Sequence, residues 1–148
     1  MPESVLSGLR ERPHCRLDRF EDLGSIVAEF IKTKIEVIAI NGGDGTVQAV
    51  LTELFRGGGS DAVPVIAVLS SGMTNMIAAD AGLTGSAASG LKRLIAMADE
   101  DQISRHLVKR QVLRMEWGAA DGSICGMFFG AAGICRAIDA CRERVHAL

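Results

Sequence analysis

The chain has 148 residues, 48% of them hydrophobic, enough to bury one core and too few for two complete domains. A formal net charge of −2 gives no basic field for nucleic acid, and 4% aromatic content without tyrosine removes a base-stacking platform, so RNA and DNA are excluded as expected partners. No apolar run reaches the length of a membrane span and the N-terminus lacks the apolar stretch of a signal peptide, which makes the cytoplasm the expected location.

Phe20, Leu23, Val27, Phe30 and Ile31 fall on one helical face and predict a helix from about Asp18 to Lys32. Ile35 to Ile40 (IEVIAI) is a short, mainly β-branched run that reads as a buried strand. It gives way to Asn41-Gly42-Gly43-Asp44-Gly45-Thr46, after which Val47, Val50, Leu51 and Leu54 mark one face of a helix starting near Thr46. Gly57-Gly58-Gly59-Ser60 reads as a flexible connection to a second buried strand, Val63 to Leu69. A second turn, Ser70 to Asn75, leads into the segment Met76 to Leu83, and Leu91, Leu94, Ile95 and Ala98 mark a further helix. Beyond Asp99-Glu100-Asp101-Gln102 the period changes. Leu113, Met115 and Trp117 alternate with Arg114 and Glu116 as in a half-buried strand, and Asp121-Gly122 before Ile124 to Phe129 is a hairpin signal. Gly130-Ala131-Ala132-Gly133-Ile134 follows, and Ile138, Cys141, Val145 and Leu148 suggest a final helix.

Repeated strand-then-helix order implies an α/β fold, a Rossmann-like parallel sheet with helices on both faces and ligand loops at the carboxyl ends of its strands. Both turns would then open on one edge of the sheet. Glycine suits the first turn because it lets a ligand approach the main chain, while the N–H groups of a helix start attract anions such as phosphate. Asp44 needs its own explanation, since a bare carboxylate repels phosphate. It meets a magnesium ion, accepts a hydrogen bond from a nucleotide hydroxyl or ordered water, or stabilises the turn or the helix N-terminus. In the second turn the hydroxyls, amide and backbone of Ser71, Gly72, Thr74 and Asn75 can line a nucleotide pocket, or act as an ordinary capped helix start.

Gly42-Gly43-Asp44-Gly45-Thr46 resembles the signature shared by diacylglycerol kinase catalytic domains, sphingosine kinases and NAD kinases. The segment Pro64 to Leu83 is similar to the diacylglycerol kinase pattern of a strand, a Pro-x-Gly-Thr-x-Asn turn and a helix ending near Gly-Leu. Ser70 stands where proline is usual and Met73 where threonine is usual, which leaves one hydroxyl contact of the pattern unmatched. The resemblance runs from about Leu23 to the end of the chain. It implies phosphoryl transfer from ATP, with magnesium, to the hydroxyl of diacylglycerol or a related lipid, and transient contact with a membrane surface. Asn41, Gly42, Gly43, Asp44, Gly45, Thr46, Ser71, Gly72, Thr74 and Asn75 would then hold the nucleotide, with Asp44 on the metal. Two other readings share the first motif: an NAD kinase-like enzyme and a non-catalytic nucleotide-binding module.

The same resemblance divides the chain into a nucleotide-binding part, 1–105, and the beginning of a β-rich second domain, 106–148, entered near Gly126-Met127-Phe128-Phe129-Gly130. Its usual first strand and Asn-Pro-x-Ser-Gly-like turn have only Val5-Leu6-Ser7-Gly8 as a counterpart, and it places the general base beyond Leu148. A fragment of a longer enzyme is the expectation. Met76, Ile77, Met127, Phe128 and Phe129 could face a lipid, although such apolar runs are more often buried. Cys15, Cys125, Cys135 and Cys141 lack zinc-ligand spacing and read as reduced, mostly buried residues, with Cys141 and His146 only loosely placed for a metal. His14 and His106 lie in polar surroundings and are expected to be solvated.

Overall fold

The apolar periodicities noted above become eight elements in a computed structural model, which describes residues 12–56, 63–81, 83, 85–118 and 122–128. In chain order they are α1 (Leu23–Lys32), β1 (Val37–Gly42), α2 (Asp44–Leu54), β2 (Val65–Ser70), α3 (Met76–Asp80), α4 (Ala87–Asp99), β3 (Leu113–Glu116) and β4 (Ser123–Gly126). β1 and β2 pair in parallel, Val37 opposite Val65 and Gly42 opposite Ser70. Parallel neighbours need a long crossover, and α2 provides it. β3 and β4 form a separate antiparallel pair, closed by a 2.9 Å hydrogen bond from Trp117 N–H to the Gly122 carbonyl.

Successive strand residues face opposite sides of a sheet, and β2 uses both. Val68 joins Ile38, Ile40, Val47, Val50, Leu51 and Leu54 in the main core with α1 and α2, whereas Leu69 meets Leu91 of α4 in a second cluster. Helices therefore cover both faces of the parallel pair. The sheet contains two strands among the described residues, narrower than the expected Rossmann-like sheet. Cys125 of β4 is 2% exposed and belongs to the main core, so the antiparallel pair sits directly on α2.

Thr52 fixes that contact. Its hydroxyl oxygen accepts from Cys125 N–H at 3.0 Å, while the hydroxyl lies within donating distance of the Gln48 carbonyl at 2.8 Å and the Cys125 carbonyl at 3.2 Å. Arg114 adds a second fastening through Nη1 to the Phe55 carbonyl at 3.1 Å. Further along, Arg110 grips the end of α3, donating from Nε to Asp80 Oδ2 at 2.5 Å and from Nη2 to Asp80 Oδ1 and to the Asp80 carbonyl, both at 3.1 Å.

Several expectations are corrected in detail. The helix expected from Asp18 begins as a 3₁₀ turn over Phe20–Asp22, because Arg19 has extended backbone and makes no capping bond, and Phe20 is left exposed. α2 starts at Asp44 and not near Thr46, since the Gly43 carbonyl already accepts from Thr46 N–H at 3.0 Å and Val47 N–H at 3.2 Å. β3 is exposed at all four positions and not half-buried, because β4 takes the place against α2. Cys15 is exposed, whereas Cys125 is buried as expected. His14 and His106 are exposed. Val5 to Gly8, Gly57 to Ser60, Phe129, the Gly130 to Ile134 run, Cys135 and the final helix with Cys141 and His146 lie outside the described residues. No helix among the described residues is long and apolar enough to cross a membrane.

Thr52→Val keeps the shape but removes the acceptor of Cys125 N–H, and should cost about 1–3 kcal/mol in urea unfolding; an unchanged midpoint would remove Thr52 as the fastening. The hydrogen bond from Arg110 holds the Asp80 carboxyl below its ordinary value. Its contribution to stability is therefore present above the ordinary carboxylate range and is lost as pH falls through the lowered value. Arg110→Gln should move the Asp80 titration upward in carboxyl NMR; an unmoved curve would show the bridge to be absent in solution.

Candidate functional site

The parallel register delivers the chain to the same edge twice, at Gly42 and at Ser70. The two turns that follow meet backbone to backbone. A Cβ placed on Gly72 would lie 2.5 Å from Gly43 Cα, and one on Gly43 would lie 3.2 Å from Gly72 Cα, so a side chain at Gly72 would force the turns apart. Here the glycines serve the protein's own packing before any ligand is considered.

Polar side chains lock the junction. The Ser71 hydroxyl donates to Asn41 Oδ1, joining the residue just after β2 to the penultimate residue of β1. Asn75 closes the second turn on itself: its Oδ1 accepts from Gly72 N–H at 2.7 Å and its Nδ2 donates to the Gly72 carbonyl at 2.6 Å. The residue adopts a left-handed backbone, φ 50°, which asparagine tolerates better than most side chains.

Asp44 bridges the two motifs. Its Oδ1 accepts from Ile77 N–H at 3.0 Å and its Oδ2 from Met76 N–H at 3.2 Å. Those amides open α3, where Asn75 makes no side-chain capping bond, so a carboxylate from the neighbouring turn supplies the missing acceptor and complements the positive helix start. Among the three sequence-based readings of Asp44, the one that stabilises a helix N-terminus is thereby realised, although on α3 and not on its own helix. Each oxygen retains acceptor capacity, because an ionised carboxylate offers about four lone-pair positions. An oxygen donor of this kind fits magnesium, which commonly takes one or two carboxylates and completes its shell with phosphate and water. No group of three or more His, Cys, Asp or Glu side chains that could hold a metal exists among the described residues.

The first turn keeps an open side. Gly43 caps α2 without any side-chain hydrogen bond. Gly45, in the first helical turn, is exposed, and a Cβ there would meet nothing within 4 Å. Thr46 turns its side chain back over Gly42. Neither turn contains lysine or arginine, so attraction for an anion would come from amides and the α2 dipole.

Asn41, Gly42, Gly43, Asp44, Gly45, Thr46, Ser71, Gly72 and Asn75 are thus gathered at one rim. Thr74 and Met73 are exposed in the second turn, Met73 to 96%. Sequence reasoning missed the Met76 and Ile77 amides, which their place at a helix start after Thr74-Asn75 could have suggested. Of the apolar residues considered for lipid contact, Ile77 is buried and Met127 packs against the core, while Met76 and Phe128 are exposed. A cavity of about 320 Å³ lined by Leu23, Thr52, Glu53, Trp117 and Ile124 lies elsewhere, with no residue of either turn in its wall.

The two tight places differ in what they need. Gly72→Ala should lower stability by about 1–3 kcal/mol, because the methyl must displace the facing backbone. Gly45→Ala should leave stability unchanged or raise it by up to about 1 kcal/mol, alanine being the better helix residue. Equal thermal midpoints for the two variants would contradict the close approach of the turns.

A family model for the diacylglycerol kinase catalytic domain matches residues 9–108, a span that includes both turns and more than half of the chain. The match begins upstream of Leu23 and stops before β3. No curated protein and no solved structure matches the chain.

Proposed function

The chain belongs to the diacylglycerol kinase catalytic domain family, and from that premise we propose that it carries the nucleotide half of an ATP-dependent lipid kinase, acting on the hydroxyl of diacylglycerol or a related lipid. The single observation that carries the reading is the convergence of two glycine turns at one rim, with the amide start of α2 open beside Gly45. A phosphate chain needs such a surface: unhindered main chain, N–H donors and a helix dipole of the right sign.

In this reading Gly43, Gly45 and Thr46 receive the phosphates on the α2 side, and Gly42 makes room for the Thr46 side chain that lies over it. Asn41, Ser71, Gly72, Thr74 and Asn75 form the adjoining wall of the nucleotide pocket, with Asn75 acting through the shape of the turn it closes. Asp44 holds both turns in register through the α3 amides and would offer its remaining acceptor capacity to magnesium. Magnesium bound there would neutralise charge on the phosphates as the phosphoryl group transfers. The protein's share of such chemistry is positioning and charge stabilisation, which preformed amides provide without reorganising. Within the two turns Asp44 is the one carboxylate, and both of its oxygens already serve the α3 amides, so the general base is assigned outside them. Residues 1–105 form the nucleotide part, and 106–148 begin the β-rich second domain.

Titration calorimetry with ATP, with and without magnesium, tests the site. Gly45→Val should weaken ATP binding at least about tenfold, because a β-branched side chain would stand where phosphate approaches, while the fold persists. Undiminished affinity would mean that the cradle lies elsewhere. Asp44→Asn should abolish the magnesium dependence and also lower thermal stability by about 1–3 kcal/mol, since an amide offers one oxygen to two N–H donors. Transfer of labelled γ-phosphate to NAD and not to diacylglycerol would replace the lipid reading with the NAD kinase-like one.

A further inference from the structure

Phe20 and Trp117, far apart in sequence, stand largely in solvent at 64% and 56% exposure, and both form part of the wall of the 320 Å³ cavity beside α2. Local backbone holds each ring there. Phe20 lies in the 3₁₀ turn ahead of α1 and so misses the core. Trp117 follows β3, its N–H bonded to the Gly122 carbonyl, and a Cβ on Gly122 would lie 3.0 Å from its indole Nε1. The chain has five phenylalanines, one tryptophan and no tyrosine, so two rings at one opening concentrate a scarce residue class. α2 contributes Gln48, Ala49 and Thr52 from a single face. Thr52 is engaged by Cys125, and Glu53 accepts from Arg56 Nε at 2.9 Å. The Gln48 amide and the Ser123 hydroxyl, also in the wall, make no hydrogen bond among the described residues.

We infer that this cavity is a binding site for an uncharged purine-like ring of nucleoside size, separate from the rim formed by the two turns. Its volume stands at the lower end of small-molecule sites, about 300–1,000 Å³, which suits one fused ring with its sugar. Phe20 and Trp117 offer aromatic faces on which such a ring stacks. Gln48 supplies selectivity, because its amide sets an acceptor and a donor side by side, matching the adjacent donor and acceptor on the edge of adenine. The Ser123 hydroxyl rotates to give or accept a further bond. An acyl chain would leave both polar groups unused. Phosphate would find no lysine or arginine among the described lining residues and would face the Glu53 carboxylate, so a nucleoside fits better than a nucleotide. Two rings cannot carry the successive bases of a nucleic-acid strand, in keeping with the acidic net charge. No residue of either turn takes part, so the inference does not depend on the lipid kinase reading.

Trp117 is the chain's one tryptophan, so its fluorescence reports on the cavity directly. Adenosine should quench it in a saturable titration of the full chain and, at a hundredfold excess over Kd, raise the thermal midpoint by at least about 5 °C. Calorimetry then reads the variants, with circular dichroism checking that each is folded. Phe20→Ala, at an exposed position outside the helix, should weaken adenosine binding at least about fivefold. Gln48→Leu should weaken it by a similar factor and leave indole, a fused ring without that donor–acceptor edge, bound as before. AMP should bind the cavity no more tightly than adenosine, and Gly45→Val should leave adenosine binding unchanged. Absence of saturable quenching, or adenosine affinity unchanged in both Phe20→Ala and Gln48→Leu, would overturn the proposal. So would a loss of ATP affinity alongside adenosine affinity in Phe20→Ala, since the cavity would then be part of the nucleotide site at the rim. Adenosine binding by a chain that does not bind ATP leaves the cavity assignment standing and removes that of the rim. ATP binding without adenosine binding does the reverse.

Discussion

A carboxylate from one turn capping the helix of the other is the constraint on which this site depends. Asp44 begins α2, yet its oxygens serve the amides of Met76 and Ile77. A five-residue helix with no capping side chain of its own has little intrinsic stability. Its position comes from this contact and from the burial of Ile77 and Ala78. The residue most readily read as a metal ligand is also a structural tie, and the roles are compatible because the amides use only part of its acceptor capacity.

The same double use applies to the glycines. Gly72 allows the two backbones to touch, a packing requirement, whereas Gly45 borders open space and satisfies none within the protein. Residues that look equivalent in a glycine-rich motif thus divide by what faces them. The sheet sets this division, since its register places Gly42 opposite Ser70 before either turn begins.

Most of the α/β core was legible in the sequence. β-branched runs located β1 and β2 to within two residues, and the periodicity of Val47, Val50, Leu51 and Leu54 identified the buried face of α2. Convergence of the turns followed from strand-helix alternation, because parallel order leaves consecutive loops on one edge. Other features depend on partners distant in the chain. The Asp44 contact spans the whole crossover, and no local pattern announces it. Alternation of Leu113, Met115 and Trp117 indicated an extended strand correctly but suggested burial wrongly, since periodicity reports a face and cannot say whether anything covers it. Phe20 fits the helical stripe of α1 and still lies in solvent, outside the helix proper.

Contact between Gly43 and Gly72 also constrains motion. With Ser71 bonded to Asn41 and Asp44 bonded to α3, the two turns are tied together, and neither can swing away alone without breaking these bonds. Any opening and closing must pivot at joints outside the two motifs. A ligand bound at this rim would meet a preset surface, whose ordering entropy is lost during folding rather than at each binding event.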